Sequence, residues 1–233
     1  MPKELGKTMQ VNKFPWKITT TCGEVSPIMH IKNAIPKHVA TEIAQAIIDI
    51  SKDPTYEDVS HLNSDSNTGC WRGKPHLSDH MTHEHKYFLS ELMMTCALEY
   101  KNGLMSLADG AIKPRVTEEW KKITDRMVFD AWANVNDPGA GNIAHSHSHN
   151  FISGVIYLQA TGTGGINFQP QNYLMGSSHY LWPWHGVSRY EPDDGDVILF
   201  PSYLIHDVES NPHKTRQRVN MAYNARIRDM EPV

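Results

Sequence analysis

Residues 142–159, NIAHSHSHNFISGVIYLQ, set three histidines at alternate positions, His145, His147 and His149, directly ahead of an apolar run rich in β-branched and aromatic residues. Along a strand, side chains i, i+2 and i+4 share a face. Extended backbone here turns the imidazoles the same way, with the apolar run buried behind them. Two could share one metal ion from adjacent inward positions, while the third falls at the strand end or mouth. The bland reading is a solvated strand start, its imidazoles satisfied by water. An HxH pair leading straight into a buried strand puts the metal reading level with it.

Working outward, the texture from about residue 128 to the C-terminus is that of short strands. FDAWANVN, FISGVIYLQ, GINFQ, DVILFP, YLIHDV and RVNMAYNARI alternate apolar and polar residues, and DPGAG, TGTGG, PDDGD and SNPHKT punctuate them as turns. This pattern predicts a sandwich or jelly roll. In GDVILFPSYLIHDV, His206 follows an apolar run and should face inward with Leu204, either as a third metal ligand or as a hydrogen-bonded core histidine. Arg218 opens the last strand, among apolar neighbours. A guanidinium at a barrel mouth is suited to clamping a carboxylate, and its default alternative is a surface ion pair. Arg216 is a nearby competitor in the turn.

Upstream, apolar residues recur at close to 3.6 spacing. Val39, Ile43, Ala46, Ile47 and Ile50 predict one helix after Pro36; Phe88, Leu89, Leu92, Met93 and Ala97 predict a second that ends near Gly103; a third is expected from Thr117 through Met127. EDVSHLNSDSNTGCWRGKPHLSD, between the first two, reads as a turn-rich loop. The expected organisation is one α+β domain over 1–233, with a mainly helical part at 1–127 packed on one face of a jelly-roll core at 128–228. A second histidine group, His76, His80, His83 and His85, is expected to be solvated loop and first helical turn.

Composition narrows the function classes. Charged residues make up 21% of the 233 and the net charge is -4, with basic residues scattered, which argues against a nucleic-acid partner. No apolar run is long enough to span a membrane, and the polar N-terminus lacks the apolar middle of a signal peptide. Cys22, Cys70 and Cys96 form no CxxC pair, so reduced thiols and a cytoplasmic location are expected. An exposed barrel edge leaves room for a homo-oligomer, with no specific signal for one.

Taken in order, AWANVN, HSH, FISGVIYLQ, GDVILFPSYLIHDV and RVNMAYN resemble the Fe(II)- and 2-oxoglutarate-dependent oxygenases of the bacterial and phage prolyl-4-hydroxylase-like group, over about residues 128 to 226. The resemblance implies a cupin-like double-stranded β-helix whose cofactors are Fe(II) and 2-oxoglutarate. It implies a dioxygenase that hydroxylates a primary substrate with O2 and releases succinate and CO2. Carried over residue by residue, His145, His147 and His206 match the metal ligands. Arg218 and Tyr157 match the residues on the far carboxylate of 2-oxoglutarate, and Asn134 is a weaker match beside the cosubstrate. No catalytic residue beyond the metal centre is implied. The chain departs from the family at His147, where the wider superfamily has Asp or Glu, at Ser148 in place of proline, and at Gln169-Pro170-Gln171 in place of Asp-Pro-Arg. The residues name no primary substrate. The aromatic stretch 172–192, with Trp182 and Trp184, is either a substrate wall or packing over an open barrel end. Two alternatives stand beside this reading: a cupin-like three-histidine metalloenzyme that does not use 2-oxoglutarate, and a non-enzymatic metal-binding jelly-roll module.

Overall fold

The computed structural model describes residues 16–20, 27–56, 67–73, 81–107, 113–147, 150–169 and 188–228. In chain order the elements are β1 (Trp16–Thr20), β2 (Pro27–Ile31), α1 (Lys37–Lys52), β3 (Asn67–Arg72), α2 (His83–Leu107), α3 (Lys113–Thr124), β4 (Met127–His145), β5 (Ile152–Gln159), β6 (Ile166–Phe168), β7 (Ser188–Tyr190), β8 (Val197–Pro201), β9 (His206–Val208) and β10 (Arg218–Ile227). The strands pair in the order β1-β2-β8-β5-β10-β4-β9-β6-β7, with β3 on β4, and every pairing is antiparallel.

The long β4 joins the two layers. Its first half, Met127 to Asn136, pairs with β10; its far end, Asn142 to His145, pairs with β9. The turn signal DPGAG does not end the strand, as its composition predicts; the chain crosses it in one continuous element. Gly139, at φ 85°, takes the left-handed conformation that lets the strand bend there from one sheet into the other. The curled sheet is a double-stranded β-helix with helices against its larger layer.

Strand alternation sorts the side chains. Ala133 and Val135 of β4, Ile156 and Leu158 of β5, Val197 and Leu199 of β8, and Val219, Met221 and Tyr223 of β10 pack in one core with α1 and α2. The opposite face looks between the layers, where Tyr157, Ile198 and Phe200 meet Ile166, Phe168 and Leu204. Helix α1 buries Val39, Ile43 and Ile47 on one stripe, as its period requires. Each of these aliphatic side chains contributes about 2 kcal/mol by leaving water.

Several local expectations change. The stretch read as a turn-rich loop supplies β3, which pairs with β4. Helix α2 runs through Gly103 to Leu107. Helix α3 begins at Lys113 instead of Thr117, because Pro114 suits a first turn where an N–H has no helical partner. It stops at Thr124, and Met127 opens β4. His85 is buried rather than solvated, its Nε2 3.2 Å from Glu42 Oε1 on α1. Cys70 and Cys96 are free and buried. Among the described residues, no helix is long and apolar enough to cross a membrane. Cys22, His76, His80, His149 and residues 172–187 of the aromatic stretch, with Trp182 and Trp184, lie outside the described residues, while the end of that stretch forms β7.

Candidate functional site

The last residue of β4 and the first of β9 are cross-strand partners, His145 opposite His206. That register brings their rings to 4.4 Å between centroids. His147 lies two residues past the strand, where its N–H donates to Ser202 O at 2.8 Å and fixes the turn of the chain. Its ring stands 5.1 Å from each of the other two. One possible ligand atom from each imidazole lies within 4.8 Å of the others. Small ring rotations bring three nitrogens at that spacing onto one ion.

The tautomers favour this use. His145 Nδ1 is 2.8 Å from Ile143 O and His206 Nδ1 is 2.9 Å from Leu204 O. A carbonyl only accepts, so each Nδ1 carries the proton and each Nε2 keeps its lone pair, the arrangement by which a backbone bond orients a metal-ligating histidine. Burial pushes His206 down to about 4 and His147 to about 3, with each further lowered by its histidine neighbours; burial also lowers His145. All three are neutral near pH 7, the form that ligates.

The histidines stand in a cavity of about 240 Å³ between the layers, lined also by Arg72, Trp132, Asn134, Tyr157, Phe200 and Asn220 among others. Cross-strand register explains the floor. Asn220 of β10 faces Asn134 on β4 and Tyr157 on β5, and Asn134 Nδ2 donates to Asn220 Oδ1 at 2.9 Å. Tyr157 is buried, and burial raises its hydroxyl pKa although the Arg218 charge pulls the other way.

Arg218 does not line the cavity. It sits two residues before Asn220 on the same face of β10, fully buried. Its Nη1 donates to Thr163 O at 2.7 Å and Glu209 O at 3.0 Å, and its Nη2 to Ala140 O at 3.4 Å. Its Nε has no hydrogen-bond partner, and neither does the side-chain amide of Asn136, its cross-strand neighbour. Buried donors left open cost about 1–3 kcal/mol each. A carboxylate reaching past Tyr157 is a fitting acceptor for Arg218 Nε. Arg216, by contrast, is committed to Asp194 at 2.7 Å and to Thr161 O at 3.0 Å.

Residues 130–224 match the family described as "Putative 2OG-Fe(II) oxygenase". The match spans the β-strand core, from β4 into β10. Solved structures agree in fold. A Pseudomonas putida prolyl-4-hydroxylase superposes with a TM-score of 0.56 at 14% identity, covering 86% of this chain and 92% of that one. A prolyl hydroxylase from Trichoplax adhaerens, solved with a hypoxia inducible factor peptide, gives 0.54 at 12% identity over 86% and 83%. The epimerase SnoN, solved with Fe3+, alpha ketoglutarate and nogalamycin RO, gives 0.56 at 9% identity over 86% and 78%. No curated protein matches the chain. The family match and the shared fold support an Fe(II)- and 2-oxoglutarate-dependent enzyme over the two alternative readings.

Sequence reasoning missed Arg72, Trp132 and Asn220. Arg72 lay in a stretch whose Gly, Asn, Ser and Asp content masked a strand. Asn220 and Trp132 could have been found from the alternation of RVNMAYN and AWANVN once Arg218 and Asn134 were singled out.

Proposed function

We propose that this oxygenase holds Fe(II) on His145, His147 and His206, binds the far carboxylate of 2-oxoglutarate at Arg218 and Tyr157, and hydroxylates an organic substrate with release of succinate and CO2. The observation that carries the reading is the convergence of three neutral imidazoles, two with Nε2 freed by backbone bonds, on a cavity whose floor leads to a buried guanidinium with an open Nε.

When bound, the iron and its cosubstrate supply the oxidising power for breaking a C–H bond. The chain's own residues do the rest. His145, His147 and His206 present neutral nitrogens, so the site carries one more positive charge than a two-histidine, one-carboxylate triad; the cosubstrate dianion offsets it. Arg218 and Tyr157 fix the cosubstrate's depth. Asn134 and Asn220, already bonded to each other, give the floor a polar edge along its length. Phe200 and Phe168 pack against His206, keeping water from that side of the metal ligands.

The test is 2-oxoglutarate affinity of metal-loaded Arg218→Ala and Tyr157→Phe. Loss of a charge-assisted bond weakens binding about 10-fold or more in the first, and loss of a neutral one several-fold in the second. Metal retention stays that of the wild type. Unchanged affinity in both variants contradicts the assignment. Tyr157→Phe keeps the test open if Arg218→Ala fails to fold.

A further inference from the structure

We infer that Asn136 is a third residue on the far carboxylate of 2-oxoglutarate, its side-chain amide donating beside Arg218 Nε and the Tyr157 hydroxyl. The inference rests on the oxygenase reading above and adds a contact that the resemblance does not supply.

Register puts Asn136 in place. It stands directly opposite Arg218 of β10, one alternation step along β4 from Asn134, which stands opposite Asn220. Cross-strand partners share a face. Asn136 and Arg218 therefore continue the polar surface between the layers beyond the bonded Asn134–Asn220 pair that edges the cavity floor. Tyr157 stands opposite Asn220 on β5, and its hydroxyl is close enough to feel the Arg218 charge. Asn136 and Arg218 both lie outside the cavity's lining, so a carboxylate meets them by reaching past Tyr157. The backbone of Asn136 has no freedom to turn away. It pairs with β10 on one side and with Cys70 of β3 on the other, and its carbonyl accepts from Asn211 Nδ2 at 3.3 Å.

Folding accounts for that backbone and not for the side chain. Asn136 is 1% exposed and Arg218 0%, yet neither Nδ2 nor Oδ1 of Asn136 has a hydrogen-bond partner, and neither has Arg218 Nε. Turning the amide over exchanges its donor and acceptor, so an open donor is present in either orientation. An apolar side chain would avoid the desolvation cost of these open groups, as Ala133 and Val135 do on the other face of the strand. The other bonds of Arg218 all go to backbone carbonyls. Two open donors on facing residues of adjacent strands, one charged and one neutral, match the two oxygens of a carboxylate. The competing explanation is that Asn136 supports Arg218, its Oδ1 taking the Nε proton after a small rotation.

The experiment uses zinc-loaded protein, the ion serving as a redox-inert stand-in. Calorimetry reads the affinity for 2-oxoglutarate and for 2-oxopentanoate, which keeps the 2-oxo acid end and finishes in a methyl group. Asn136→Leu is expected to weaken 2-oxoglutarate about 10-fold, as loss of a hydrogen bond to a charged acceptor does, and to leave 2-oxopentanoate within about two-fold of wild type. In an Arg218→Met background the same substitution should still weaken 2-oxoglutarate several-fold, which a residue acting only through Arg218 would not do. Should Arg218→Met not fold, the urea midpoint of metal-free Asn136→Leu decides: replacing a supporting residue lowers it, and replacing an open amide leaves it equal or higher. Unchanged 2-oxoglutarate affinity in Asn136→Leu overturns the inference. So does an equal loss for both acids, or a loss that disappears without Arg218. Wild-type protein that binds 2-oxoglutarate no better than 2-oxopentanoate overturns the carboxylate site itself, and with it the oxygenase reading.

Discussion

The metal-free protein should lose stability as the pH falls through the range where free histidine titrates, and His206 should account for a defined share of that loss. His206 is 3% exposed and held near 4 in the fold, chiefly by burial, against about 6.5 in the unfolded chain. Its folded value is the lower one. Between about 4 and 6.5 the unfolded state therefore binds more protons, and the contribution is fully present above 6.5 and lost as the pH falls toward 4. Moving from about pH 7.5 to about pH 5 removes on the order of 2 kcal/mol through this one group. His147 adds to the same slope, although its partial exposure lets solvent reduce the effect. Asp196 and Glu209, both held at about 2, act only at lower pH. The assay is urea unfolding of chelator-treated wild type and His206→Gln at the two pH values. The wild type should lose about 2 kcal/mol more than the variant over this interval. Equal losses would refute the claim that the fold holds His206 neutral for ligation.

Two other perturbations test the frame around the site. A Cβ on Gly154 would stand 2.5 Å from the Tyr223 hydroxyl, so Gly154→Ala should cost about 1–3 kcal/mol in thermal or urea unfolding; a variant as stable as the wild type would show that Tyr223 has room to move. Asp196, fully buried, accepts from His30 Nε2 at 2.8 Å, Lys32 Nζ at 3.0 Å and the backbone N–H groups of Asn33 at 2.9 Å and Asp193 at 3.0 Å. Asp196→Ala should cost about 3 kcal/mol by stranding those donors, and a loss well under 1 kcal/mol would show that water replaces the carboxylate.

The jelly-roll strands were legible because alternation survives wherever one face meets the helices and the other the cavity, as in RVNMAYNARI and FISGVIYLQ. The pairing of β4 with β9 was not. DPGAG has the composition of a turn, and only the long-range partner shows that the chain bends there without breaking its ladder. The convergence of three histidines that could hold a metal was legible, yet the HxH pair converges for a different reason than strand period: His145 ends the strand, and His147 is turned inward by its backbone bond to Ser202. Arg218 was singled out by its place at the start of the last strand and Tyr157 through the resemblance; Tyr157 lines the cavity, and Arg218 is buried outside its lining. Arg72 was invisible because its strand is short and polar, and among the described residues its ladder partner is β4. Sequence periodicity reports burial, and a short strand facing a polar cavity has little to report.

The central claim is that 2-oxoglutarate chelates an iron held by His145, His147 and His206. The most direct test is anaerobic titration of 2-oxoglutarate into Fe(II)-loaded protein, following the weak visible metal-to-ligand charge-transfer band. The band should appear with wild type, saturate at one 2-oxoglutarate per iron, and vanish in His206→Ala. Stoichiometric iron with no band in the wild type would contradict the account.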